Sequence, residues 1–245
     1  MDPLTITAAG GMRARMESLD MLANNIANAE TGGYKVDREF YNLYTSQEAF
    51  TADSQDPATL PVIEKNYTDF SQGVLRATSN PLDFAIQGKG FFAVNTPAGV
   101  AYTRAGSMHV SLAGTLETAD GYAVQDASGK AVKLDPGLPV DAAEDGTLSQ
   151  SGQKVGQLAV FDFADPGQLV KQGNTMFRPA DPKVQPALTT SAIQQGRLEG
   201  SNVGSAESAV RLVSVMRQFE MLQKAIHIGV DMNRKAVEEV ARVNQ

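Results

Sequence analysis

The sequence contains no cysteine, no tryptophan and only two histidines in 245 residues. Without cysteine there is no disulfide, no thiolate nucleophile and no Cys-ligated zinc or iron–sulfur site. His109 and His227 each stand without a second histidine or an acidic pair at metal-ligand spacing, so no metal site is indicated and both read as structural. Basic charge is short as well. Twenty-one Lys and Arg, scattered along the chain, face 28 Asp and Glu, a net charge of -7. That balance gives neither nucleic acid nor an anionic membrane a patch to bind. No apolar run is long enough to span a bilayer, and Met1 to Thr7 lacks the basic-then-apolar pattern of a secretory signal. Hydrophobic residues at 42% and charged ones at 20% describe a folded chain. Taken alone, composition places it in the cytoplasm.

Catalytic motifs are missing too. Gly88-Lys89-Gly90 runs into Phe91-Phe92 rather than opening a helix, so it is a turn between strands and not a phosphate loop. Asp141, Glu144, Asp145 and Gly146 lack the alternate-position ligands of a calcium loop and read as an acidic surface turn. No Gly-x-Ser-x-Gly elbow is present. The expectation is a protein with no catalytic, cofactor-binding or metal residues, no cofactor and no small-molecule substrate.

What is present is two long helical patterns at opposite ends. From Leu4 to about Glu30 no proline occurs, and Thr5, Ala9, Met12, Met16, Leu19, Ala23 and Ile26 recur in steps of four and three. That is a heptad seam on a helix about 40 Å long. Asp2-Pro3 suits its start and Thr31-Gly32-Gly33 its stop. From Ser201 to Val243 the pattern returns over about 60 Å, with Ser201-Asn202 as the expected cap. Its seam is Ala209, Leu212, Met216, Phe219, Ile226, Val230, Val237 and Val240, interrupted by Gln223 and Asn233. The Met residues in both helices are packing residues. Helices so one-sided need a partner for the stripe.

The middle of the chain reads as short strands: Phe84–Gln87, Phe91–Val94, Val100–Arg104, Met108–Leu112, Tyr122–Gln125, Ala131–Leu134, Leu158–Phe163 and Met176–Arg178. Gly-centred turns at Gly106, Gly114, Gly121, Gly129, Gly146 and Gly152 separate them, as in an antiparallel domain. Residues 45–66 and 178–198 carry Pro, Ser, Thr and Gln with little periodicity and read as extended connectors. The fold expected is α+β, in which the two terminal helices pair as a coiled-coil-like foot beneath a central, mainly antiparallel β domain. The divisions are 1–33 with 199–245 for the helical assembly domain, 34–80 with 178–198 for an extended connector or β region and 81–177 for the central β domain.

Asn24, Asn25 and Asn28 are poor helix-interior residues, so their clustering needs a reason. One reading is turn chemistry before Gly32; the favoured one has Asn24 and Asn28, four apart, fixing register between helices by hydrogen bonds.

Three stretches together carry a family resemblance. Leu19-Asp20-Met21-Leu22-Ala23-Asn24-Asn25-Ile26-Ala27-Asn28-Ala29-Glu30-Thr31-Gly32-Gly33-Tyr34-Lys35 resembles the N-terminal signature of the flagellar basal-body rod and hook family. Asn80 to Val94, with Tyr102-Thr103-Arg104-Ala105-Gly106-Ser107, is similar to its central segment. Leu198-Glu199-Gly200-Ser201-Asn202-Val203, with Arg217-Gln218-Phe219-Glu220, is similar to its C-terminal signature. Within the family the wording and modest length look closest to a proximal rod subunit, with the distal rod subunit as the nearest rival.

The resemblance implies a structural subunit that leaves the cell through the flagellar type III export apparatus without a cleaved signal and resides in the periplasmic rod. It also implies partners in other copies of itself and other rod and hook axial proteins, and termini that order on assembly. Its expected assembly interface comprises Met12, Met16, Leu19, Asn24, Asn25, Ile26, Asn28, Leu212, Met216, Phe219 and Ile226. Burying such a seam contributes on the order of 10 kcal/mol before ordering entropy. Two other classes predict different things. A secreted β-domain enzyme or binding protein requires a concave cluster of titratable groups. A cytoplasmic coiled-coil adaptor requires helical termini in the isolated protein.

Overall fold

The computed structural model describes residues 3–45 and 59–243. Helix α1 runs Pro3–Ala27 and α2 Ser205–Val243, and the two are in contact. Between them, in chain order, lie β1 (Asp37–Thr45), β2 (Thr59–Thr68), β3 (Leu75–Ala77), β4 (Phe84–Gln87), β5 (Phe91–Thr96), β6 (Gly99–Thr103), β7 (Met108–Val110), β8 (Leu116–Thr118) and β9 (Ala123–Val124). There follow β10 (Asp141–Ala142), β11 (Thr147–Gln150), β12 (Gln153–Gln157), β13 (Val160–Asp162), β14 (Leu169–Lys171), β15 (Met176–Pro179), β16 (Ala187–Thr189), β17 (Ala192–Gln195) and β18 (Arg197–Glu199). The α+β architecture expected from the sequence is the one observed.

The chain divides into two compact units. α1, β1, β2 as far as Tyr67, and α2 form a helical unit; Asn28–Val36 and Thr68–Val203 form a β unit. These boundaries fall at other places than the compositional ones. Asn28–Val36, just beyond α1, belongs with the strands, whereas the two-stranded sheet of β1 and β2 belongs with the helices.

In the β unit a nine-stranded sheet runs β14-β15-β6-β5-β9-β8-β7, with β13 on β5 and β16 on β13. Its centre is β5, whose Phe91-Phe92-Ala93-Val94 is buried on both faces. Strand periodicity sends Phe92 and Val94 into one cluster with Phe84, Ile86, Leu116, Val124 and Leu158. Phe91 and Ala93 enter the other, with Tyr102, Phe163 and Phe177. The second cluster is aromatic, and edge-to-face pairs such as Tyr102–Phe163 at 4.8 Å suit the ring quadrupoles. Gly88-Lys89-Gly90 is the expected strand-linking turn, with φ of 107° and 114° at its glycines. A Cβ at Gly90 would lie 2.4 Å from Val160 Cγ1, so only glycine fits.

Several local expectations are corrected. Ala131–Leu134 forms isolated bridges rather than a strand, although Val132 and Leu134 are in the core. The stretch from 178 to 198, expected as an extended connector or β region with no strands assigned, supplies β16 to β18, which pair with β13, β4 and β3. Those pairings join segments more than a hundred residues apart in two of the three cases, and local composition carries no trace of them. Of the connector expected at 45–66, residues 46–58 lie outside those described, and β2 begins at Thr59. α1 stops at Ala27, a turn before the glycines, because Asn28 turns the chain: its carbonyl accepts from Thr31 N at 3.1 Å and its Oδ1 from Thr31 Oγ1 at 3.2 Å. α2 begins at Ser205, not Ser201, so Ser201-Asn202 is not its cap.

Candidate functional site

The two helices meet through faces different from the predicted seams. On α1 the buried positions are Ala8, Gly11, Ala14, Ser18, Leu22 and Asn25, a mostly small face. Small residues admit close approach, and the Cα of Gly11 lies beneath Leu222, whose Cδ1 is 3.4 Å from where a Cβ would stand. On α2 the inner face is Ser208, Val215 and Gly229, fully buried, with Leu212, Phe219, Leu222 and Ile226 half-buried. This too is a heptad, shifted by one residue from the predicted one at alternate positions only. Leu212, Phe219 and Ile226 are common to both, while Met216 and Val230 stand 48% and 53% exposed.

The large apolar seam of α1 therefore turns away from α2, by about 120° at 100° per residue. Met16 is 53% exposed; Met12, Leu19 and Ile26 are half-buried, and Asn24 and Ala23 are exposed. The side chains of Thr5, Val237 and Val240 lie outside those described. Asn25 differs from expectation: it is buried inside the subunit, donating from Nδ2 to Asp37 O at 2.8 Å and accepting at Oδ1 from Asp37 N at 3.1 Å. It fixes β1 against the end of α1 and offers no surface to a neighbour. Asn28, half-buried, makes the local turn described above.

α2 carries a further apolar stripe that was not foreseen. Val210, Val213, Met221, Ile228 and Met232 are exposed by 48–72% and fall roughly 160° round the helix from the α1-facing side. Val210, Val213 and Met221 line a shallow apolar concavity of about 580 Å³ with Ala209 and Arg217. The stripe was readable at helical spacing, but the stronger heptad beside it masked it.

In the β unit the notable feature is a buried ionic clasp. Lys35, Arg104 and Glu199 come from three distant stretches of chain, and their side chains are 0%, 4% and 0% exposed. Glu199 Oε1 accepts from Lys35 Nζ at 2.6 Å and Gly73 N at 2.9 Å, and its Oε2 accepts from Arg104 Nη1 at 3.0 Å. Lys35 also donates to Ser71 O at 2.7 Å, and Arg104 Nη2 donates to Gly88 O at 2.8 Å while its guanidinium lies 5.3 Å from the Phe91 ring centre. Burial pulls the Lys35 amine below its usual value, against the opposing pull of Glu199. Burial likewise lowers Arg104, opposed by Glu199 and Asp162.

Around this core Asn202 ties three segments together. Its Oδ1 accepts from Val36 N at 2.7 Å and its Nδ2 donates to Asp69 O at 2.7 Å. Gly33 N donates to Glu199 O at 2.8 Å. Gly33 is left-handed at φ 72°, and a Cβ there would lie 2.3 Å from Ala105 N. Sequence reasoning had assigned Lys35, Arg104 and Glu199 no role and had read Asn202 only as part of a helix cap. The available signal was that each lies within one of the three signature stretches.

Among the described residues no group of acidic or histidine side chains is placed to hold a metal, and no helix is long and apolar enough to cross a membrane. What the fold offers is surface and anchorage, the attributes of an assembly subunit. Comparison with known proteins gives that class its family. "Flagella basal body rod protein" matches residues 7–35, "Flagellar hook protein FlgE/F/G D1 domain" residues 85–154, and "Flagellar basal body rod FlgEFG protein C-terminal" residues 194–239. The flagellar basal-body rod protein FlgF of Caulobacter vibrioides is 33% identical over 227 residues, covering 92% of this chain and 93% of that one. FlgF of Mesorhizobium japonicum is 35% identical over 87% of each chain, and FlgG of Caulobacter vibrioides 32% identical over 92% and 95%. The chain belongs to the flagellar hook and basal-body rod protein family, whose members are structural rather than enzymatic. Each of the three matched segments contributes one charge of the clasp.

Proposed function

We propose that this structural subunit of the flagellar basal-body rod polymerises by burying the outward apolar faces of α1 and α2 against neighbouring axial subunits, and so transmits torque along the shaft. The observation that supports this reading is the doubled amphipathicity of α2. One side is covered by α1, whereas the opposite side exposes Val210, Val213, Met221, Ile228 and Met232 to solvent. A monomer gains nothing from an exposed stripe of this length, which marks an interface. On α1 the outward face is Met16, with Met12 and Leu19 half-buried beside it and Asn24 as the exposed polar register residue; on α2 Met216 is exposed between the two sides, while Leu212, Phe219 and Ile226 belong to the side facing α1.

The chain reaches the rod through the flagellar type III export apparatus, and it occupies a proximal position. The alignment lengths support that position: FlgF of Caulobacter vibrioides matches 92% of this chain within 227 aligned positions, whereas FlgG of the same organism needs 260 positions for the same share. Tagged subunits located in purified basal bodies decide between proximal and distal.

The interface is tested with Val213→Asp and Met221→Asp combined. Monomer melting should move by no more than about 0.5 kcal/mol, while rods fail to form and motility is lost. Normal rods would overturn the assignment.

A further inference from the structure

The clasp does not lie on the apolar faces assigned to assembly, and its charges are enclosed by the subunit itself. Buried ion pairs are a poor means of gaining stability, since desolvating each ion costs several kcal/mol and an apolar trio of similar volume is often as stable. Their position in the chain is more informative. Lys35 follows α1 after the Asn28 turn, and Glu199 precedes α2 by a short extended segment. Both belong to the β unit, in the stretches of it that lead into α1 and α2. The same knot holds the 69–73 loop through Ser71 O, Asp69 O and Gly73 N.

We propose that Lys35, Arg104 and Glu199, with Asn202, form a latch within the β unit that fixes the segments leading into α1 and α2 to each other and closes only when Glu199 is in place. Lys35 and Arg104 precede Glu199 in the chain. In a subunit that folds as it emerges N-terminus first, two buried cations face each other until that carboxylate arrives. Like charges at this range, withdrawn from water, hold the site open. Seating of Glu199 neutralises one, bonds both and draws β18 onto β3 through Glu199↔Leu75. Asn202 then bonds Val36 on one side and Asp69 on the other, so the segments leading into α1 and α2 become fixed together. With the latch open, the sheet core around Phe92 stays formed but residues 33–36 and 199–203 are loose.

This role rests on the rod reading for its biological consequence, though not for its physics, and two measurements separate them. In the full-length chain, Glu199→Gln keeps the shape and removes the charge. Hydrogen exchange at residues 33–36 and 199–203 should accelerate about 100-fold or more, while the amides of Phe92, Val94 and Val124 change by less than about threefold. Rod assembly in cells should fall with it. A triple variant, Lys35→Met with Arg104→Leu and Glu199→Leu, replaces the ions by apolar side chains and should restore slow exchange in both segments. Unchanged exchange in Glu199→Gln overturns the latch. Equal acceleration in the sheet core overturns it too, because the clasp would then be only part of the general core. If Glu199→Gln does not accumulate, the triple variant decides: segments that stay unprotected on an intact sheet refute the proposal. Fast exchange in the segments with normal rods leaves the latch standing as a physical device and instead removes its link to assembly.

Discussion

The helical unit and the β unit handle the same two kinds of side chain in opposite ways. The β unit takes charge inside: Lys35, Arg104 and Glu199 are almost wholly buried and bonded to one another and to the backbone. The helical unit keeps apolar side chains outside, with Val210, Met221 and Met232 at 60–72% exposure. A structure that encloses charge must be complete in itself, since an unsatisfied buried ion is costly. One that exposes apolar stripes is incomplete until a neighbour covers them. In the assembly proposed above, the β unit is the finished block and the helical ends are completed by neighbouring subunits.

The sharpest way to break the contrast is to damage the finished half. Phe92→Ala, in the cluster with Phe84, Ile86 and Leu116 on one face of β5, should cost about 3–5 kcal/mol and unfold the β unit, read by denaturant unfolding. A mild effect would mean that the sheet leans on something outside itself. Gly33→Ala should cost a further class of energy, about 1–3 kcal/mol, because the residue is left-handed and a Cβ would strike Ala105 N. Loss of exchange protection confined to residues 28–36 would locate the damage.

In the helical unit the expected effects are smaller. Gly11→Ala gains helix propensity of up to about 1 kcal/mol against only a side-chain contact with Leu222, so the melting temperature should rise. A fall would show that the two helices have no room to adjust. Smallest is the acidic turn. Thr147 N and Oγ1 donate to the Asp145 carboxylate and hold it below its ordinary 3.8. A depressed carboxylate contributes fully above its unfolded value and loses that contribution as pH falls through the folded one. Acid melting below about pH 4 should therefore be slightly less steep in Asp145→Asn, and identical profiles would remove the turn from the account.

Much of the fold was legible because it is periodic. Phe84–Gln87 and the Phe91-Phe92 strand stand where alternation placed them, and the glycine turn between them has the backbone it needs. The helices were legible for the same reason, though not which face each would bury: α1 turns its small residues, not its methionines, toward α2. A heptad marks an apolar stripe and does not say what covers it. The pairings of β17 and β18 were not legible because their partners lie far along the chain. The clasp was missed because a lone Lys, Arg or Glu in a polar segment looks like any solvated charge.

The sequence by itself determined two long amphipathic ends, a strand-and-turn middle, the exclusion of cysteine chemistry and the family, since each is written in local spacing or contiguous wording. Only the tertiary structure decided that Asn25 is an internal clamp, that α2 has two apolar sides, and that Lys35, Arg104 and Glu199 share one buried site. Their meeting depends on chain segments that approach through long-range strand pairing, and electrostatic partners act through distance in space, which no spacing along the chain records.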